Sequence, residues 1–182
     1  MSGAWRNSAA GFGRISRILH WAMAALIFGL LGLGLTLANM EPALDRLWLY
    51  GLHKSLGIVA LILVVLRLVW HRISPPPAAL GDPAALPQKL ARSVHLAIYA
   101  CLIVIPLAGW LGSSATGIDT VIFDRWILPP IAPVSETWEA AGFWLHWAAT
   151  RLLMGLLALH VAGTVLRVTK GDGTLSRMIR GR

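Results

Sequence analysis

Charge is what this sequence has least of: Asp, Glu, Lys and Arg together make up 13% of its 182 residues. A soluble domain of ordinary composition carries about 25%, so a surface facing water over most of the chain is excluded. Acids are the scarcer sign, eight against sixteen Lys and Arg, for a formal net charge of +8. Cysteine is nearly absent as well, and the single Cys101 excludes a disulfide framework. There is no internal repeat and no low-complexity stretch. Disorder is excluded by a 57% apolar composition and a mean hydropathy of +0.68. What the chain does have is apolar length.

Four long apolar stretches stand out, at about residues 15–37, 48–71, 91–115 and 138–169. Each is near or above the roughly 20 residues that cross ~30 Å of hydrocarbon at 1.5 Å per residue. None alternates with period 2, which excludes a β-barrel. The connections hold most of the prolines and acids: Met40-Glu41-Pro42, then Ser74-Pro75-Pro76-Pro77 with Gly81-Asp82-Pro83 and Pro87, then residues 117–135 with Pro129, Pro130 and Pro133. Ser135-Glu136-Thr137 reads as the N-cap of the fourth helix, with acids at its positive end. The apolar run after Arg17 is too long for a signal-peptide core and has no clear small-x-small cleavage site. The expected fold is an all-α, integral-membrane four-helix bundle forming a single domain over residues 1–182.

Basic residues set the expected orientation. Arg6, Arg14, Arg17, Arg67, Arg72, Lys89, Arg92, Arg167, Lys170, Arg177, Arg180 and Arg182 gather at the termini and the middle connection, against Asp82 and Asp172. The opposite side, with the adjoining helix interiors, holds Arg46, Lys54, Arg125 and Arg151 against six acids. That is +10 on one side and −2 on the other, so both termini are expected in the cytoplasm; for a bacterial inner (plasma) membrane the far side is the periplasm. The basic excess therefore signals orientation and contact with anionic lipid headgroups, not a nucleic-acid footprint.

Ionisable groups inside membrane spans are costly and mark function by default. Six histidines are present: His20, His53, His71, His95, His146 and His160. His146 and His160 are fourteen residues apart, which is 40° short of four helical turns, so they share a face about 21 Å apart along the axis. One metal ion cannot use both. His160 lies at the depth of His20, and His146 at that of His53, each pair drawn from two helices. Such pairs suit planar cofactors gripped between axial imidazoles. Without a second cysteine, covalent haem attachment is excluded, and two bis-His haems b are the simplest reading.

Small and charged neighbours extend the pattern. Gly34, fourteen residues after His20, reaches the depth of the outer pair, while Gly57 and Gly142 lie four residues from His53 and His146. They can admit a cofactor edge or simply allow close helix packing. Arg67, fourteen after His53, reaches the inner pair and can hold a haem propionate or snorkel to the interface. Arg151 lies about 140° round from the histidine face and needs a partner, water or another subunit.

With these features the chain resembles the bacterial cytochrome b561 family over nearly its whole length. The resemblance rests on Ser16-Arg17-Ile18-Leu19-His20-Trp21, Leu52-His53-Lys54-Ser55-Leu56-Gly57, Arg67-Leu68-Val69-Trp70-His71-Arg72 and Ile127-Leu128-Pro129-Pro130. Leu159-His160-Val161-Ala162, spaced from His146, and the basic Arg177-Met178-Ile179-Arg180 tail complete it. The resemblance implies two haems b, the iron of one held by His20 with His160 and that of the other by His53 with His146. It implies electron exchange with the quinone pool and, in some members, oxidation of superoxide to dioxygen with ubiquinone as acceptor. His95 also matches a family position, as a propionate or quinone contact or an interfacial hydrogen-bonding group. His71 is expected at the aqueous interface beside Arg72. Lys54 would set a cation beside the outer haem, drawing in superoxide or pairing with a propionate. The alternative role is that of a membrane-anchor cytochrome b subunit linking a partner hydrogenase or dehydrogenase to quinone.

Overall fold

A computed structural model of the chain describes residues 5–41 and 43–181. Pro42 and Arg182, which entered the first connection and the charge count above, lie outside the described residues. Five helices and one hairpin follow in order: α1 (Arg14–Asn39), α2 (Leu47–Ile73), α3 (Leu86–Ala115), β1 (Thr120–Ile122), β2 (Trp126–Leu128), α4 (Glu136–Thr169) and α5 (Thr174–Ile179). A single 3-10 turn, Leu44–Arg46, precedes α2. Helices α1 to α4 are each long and apolar enough to cross a membrane. Their outward faces are apolar too: Ile18, Phe28, Ile62, Leu66, Leu152 and Leu159 are each at least half exposed. In water this surface would be a liability; in lipid it is the solvated face.

Local chemistry explains the boundaries. Ser135 caps α4 by accepting the Trp138 N–H, and Glu136 and Glu139 occupy its first turn. Pro75 ends α2, and Pro87 sits in the first turn of α3, where its missing N–H is harmless. Helix α3 starts earlier than its apolar pattern indicates, because Gln88, Lys89 and Arg92 make its opening turns amphipathic. At 34 residues, α4 is about 51 Å long and overshoots the hydrocarbon at both ends.

The hairpin was not anticipated. Its strands pair antiparallel with Val121 opposite Ile127, and its tip residues Phe123 and Asp124 take positive φ. Ser55 of α2 anchors it, accepting the Phe123 N–H at 2.9 Å while its hydroxyl donates to the Gly51 carbonyl. The excursion returns to α3 through bonds from the Ser135 N–H to the Ala115 carbonyl and from the Ile131 N–H to the Ser114 hydroxyl.

Helix α4 packs along α3, and α1 along α2, which also packs on α3. Glycine sets the α3–α4 distance: a Cβ on Gly142 would lie 2.7 Å from Gly112 Cα and 3.0 Å from the Ala108 oxygen. The apolar core consists of Met23 and Ile27 of α1, Ala60 and Val64 of α2, Cys101 and Leu102 of α3, and Leu153 of α4. Leu153 lies midway between His146 and His160 along α4, so this core forms a layer between the two histidine levels.

Candidate functional site

The four histidines expected to pair do meet, two by two. His53 of α2 faces His146 of α4 with ring centroids 6.1 Å apart and planes inclined by 72°. At the end bearing both termini, called inner here, His20 of α1 faces His160 of α4 at 6.4 Å and 62°. Both pairs span helices that do not adjoin in sequence, and α4 supplies one member to each.

At the outer pair, α3 fixes one ring. The His146 Nδ1–H donates to the Ile105 carbonyl at 2.9 Å, which leaves Nε2 with its lone pair directed elsewhere. Ile105 precedes Pro106, the proline inside α3. Gly109, one turn further, makes room for the ring: a Cβ there would lie 3.0 Å from His146 Nδ1. His53 packs against another glycine, Gly34 of α1, whose added Cβ would be 3.3 Å from His53 Cε1. The His53 Nδ1 is buried with no hydrogen-bond partner among the described residues. The Nε1 atom of Trp110, next to Gly109 on α3, is likewise buried without a partner among the described residues. Lys54 is half-buried and makes no hydrogen bond or ion pair among the described residues.

At the inner pair, the Arg67 guanidinium donates from Nη1 to His20 Nδ1 at 3.0 Å and lies 5.7 Å over the Tyr99 ring. Its Nε is buried and unpartnered. His95 joins this cluster. Its ring stands perpendicular to that of His160 at 4.9 Å, and its Nδ1–H donates to the Ala91 carbonyl at 2.6 Å. His71 is not simply at the surface: it is half-buried, edge-on to Tyr99 at 6.3 Å. Gly57, four residues from His53, meets nothing where its side chain would be, unlike Gly34 and Gly142. Arg151 lies on the exposed face of α4, stacked 5.2 Å over Trp147.

Sequence reasoning missed the supports. Gly109 and the Ile105 carbonyl before Pro106 seat the His146 ring, Tyr99 borders His71 and Arg67, and Ser55 anchors the hairpin, yet each reads alone as a common membrane-helix residue. The Gly109/Pro106 pair in α3 carried the one usable signal, a proline and a glycine three residues apart inside an apolar span.

Four helices long and apolar enough to cross a membrane, with imidazoles opposed at two depths, define a class: multi-pass helical membrane proteins with paired histidines inside the bundle. The chain matches the family described as Prokaryotic cytochrome b561 over residues 11–181, and it belongs to that family. It is 32% identical over 185 residues to Cytochrome b561 homolog 2 of Escherichia coli (strain K12), covering 97% of this chain and 95% of that protein. It is 26% identical over 167 residues to the Probable superoxide oxidase CybB of Yersinia pestis, covering 88% and 91% respectively. Membership makes this a membrane cytochrome of the bacterial inner membrane, and b-type haem its implied cofactor.

Proposed function

We propose that the chain is a dihaem cytochrome that exchanges electrons with the quinone pool. In this reading His20 and His160 hold one haem b and His53 and His146 the other. The observation that carries it is the spacing of the rings. Two imidazoles bound to opposite sides of one metal ion, each nitrogen about 2 Å away, set their centroids roughly 6 Å apart. The two pairs measure 6.1 and 6.4 Å. Among the described residues no group of three His, Cys, Asp or Glu side chains forms an ion cage. With two imidazoles at each site, a macrocycle would have to supply the rest of the iron's ligands.

The donor chemistry fits best at the outer pair. The Ile105 carbonyl fixes the tautomer of His146 so that Nε2 is the free donor, the arrangement in which a second hydrogen bond orients a metal-binding ring. At the inner pair Arg67 donates to His20 Nδ1, which puts the proton of the neutral ring on Nε2. There Arg67 would turn to a haem propionate, for which its buried, unpartnered Nε is a ready donor. Haem iron supplies reversible one-electron chemistry that no side chain here offers.

The residues of the chain do the rest. The core layer of Met23, Ile27, Val64, Leu102 and Leu153 keeps water from the space between the levels. Lys54 adds positive charge beside His53, where an anionic reductant arriving from outside would be drawn. We take that reductant to be superoxide and the acceptor ubiquinone. Two superoxide ions each lose one electron and leave as dioxygen, and ubiquinone takes two electrons and two protons to become ubiquinol. The similarity to the probable superoxide oxidase supports this choice. In this reading His95, beside His160, contacts a propionate or the quinone.

Reduced-minus-oxidised spectra with haem quantitation test the ligand pairs. We expect two haems b per chain in the wild type and one in His146→Ala. Retention of both in the variant would overturn the pairing, and a colourless wild-type protein the whole reading. Superoxide-driven ubiquinone reduction by the purified protein tests the substrates; its absence from a two-haem preparation would remove superoxide as donor.

A further inference from the structure

Arg151 sits where a membrane protein has least use for a charge. It lies five residues from His146 and nine from His160 on α4, about 7.5 and 13.5 Å along the axis. That is within about 3 Å of the midpoint between the two histidine levels. The side chain is on the exposed face, with its guanidinium over the ring of Trp147, itself 56% exposed. It makes no hydrogen bond or ion pair among the described residues. The nearer histidine level, at His146, is more than one helical pitch of 5.4 Å away along α4. A ring face does not replace the hydrogen bonds a guanidinium loses in hydrocarbon.

The surrounding face is built for a helix. Trp144, Trp147, Arg151, Gly155, Ala158 and Ala162 fall within about 40° of one line along α4 at 100° per residue. This line runs opposite the face that packs on α3 through Gly142, Ala149 and Leu153, all buried. Gly155 meets nothing where its side chain would be, and Ala158 and Ala162 are exposed. Small residues at this spacing let a second helix backbone approach closely.

We propose that this face receives a transmembrane helix of a different polypeptide, one that sets an Asp or Glu carboxylate opposite Arg151. Charge decides against a second copy of the chain. All eight acids (Glu41, Asp45, Asp82, Asp119, Asp124, Glu136, Glu139 and Asp172) lie in connections or in the first turn of α4. Another copy in the same membrane brings no carboxylate to this depth and sets arginine near arginine. The inference is independent of what the haem sites oxidise or reduce.

The test uses labelled single-span leucine–alanine peptides, reconstituted with the full-length protein in vesicles and followed by energy transfer. One peptide carries Glu at its centre, one carries Gln there, and one carries Glu two turns from the centre. The Glu-centred peptide is expected to associate about tenfold more tightly than the other two, the scale of a polar contact between helices in lipid. Arg151→Leu should abolish that preference and Arg151→Lys retain most of it. Equal association of all three peptides would overturn the proposal, as would a preference that survives Arg151→Leu. Self-association of the chain that depends on Arg151 would overturn it in favour of a second copy.

Discussion

At the scale of single residues, the outer site depends on an atom that is missing. Gly109 has no Cβ, and the His146 ring occupies the space where one would be, 3.0 Å from Nδ1. Adding a methyl group asks the ring to give by a few tenths of an ångström; adding an isopropyl group displaces it from the Ile105 carbonyl. Gly109→Val should therefore destabilise the protein by about 1–3 kcal/mol. On the two-haem reading proposed above, it should also remove the outer haem from the spectrum while the inner one stays. Equal loss of both absorption components would mean that the substitution disrupts the bundle, not the site. In the proposed reading Lys54 acts differently, through charge alone. Lys54→Gln should leave both haems in place and slow reduction by superoxide several-fold at low ionic strength, with the difference shrinking as salt is added. A rate unchanged at every ionic strength would take Lys54 out of substrate attraction.

At the scale of elements, the inner end is stitched together by residues that look unremarkable in sequence. The Asn7 side chain donates to the Ser74 carbonyl and accepts from the Gly13 N–H and the Ser16 hydroxyl, which in turn accepts from Trp70 Nε1. Losing its three side-chain bonds, Asn7→Ala should lower the stability by about 2–3 kcal/mol, read as an earlier thermal release of the inner end. Helix α5 is tied down by charge. Burial alone would raise the Asp172 pKa, but hydrogen bonds from Thr174 and the Arg167 guanidinium at 3.1 Å hold it below the ordinary carboxylate range. Its contribution is then present above the unfolded-state pKa and lost as pH falls through the lower folded value. Hydrogen exchange in α5 should accelerate over that acid window in the wild type and show no such step in Asp172→Asn, a difference of about 0.2–1 kcal/mol. The four spans were legible because hydrocarbon imposes length and apolarity on every crossing helix, and His146 and His160 because helical period relates residues on one chain segment. The β1–β2 hairpin was not, since three-residue strands anchored by Ser55 have no periodicity to read. Neither were the contact of Asn7 with Ser74 and that of Gly109 with His146: these partners lie 67 and 37 residues away in the sequence, and only tertiary packing brings them together.

At the scale of the whole molecule, direction matters more than stability, because an electron path between two levels about 21 Å apart is useful only if each faces the right compartment. The core layer separates the levels symmetrically; the charge does not. Arg6, Arg14, Arg17, Arg177 and Arg180 crowd the end that holds His20 and His160, while Asp119, Asp124, Glu136 and Glu139 border the end that holds His53 and His146. Basic segments resist translocation, so the termini should remain in the cytoplasm and the β1–β2 hairpin should face the periplasm. The single cysteine makes this directly measurable. In a Cys101→Ser background, Asp119→Cys and Lys170→Cys each place one thiol on an exposed residue at opposite ends. A membrane-impermeant maleimide applied to intact spheroplasts should label Asp119→Cys at once and Lys170→Cys after permeabilisation alone. The reverse pattern would invert the molecule. It would put Lys54 and His53 on the cytoplasmic side and remove the outer face as the entry point for a periplasmic anion.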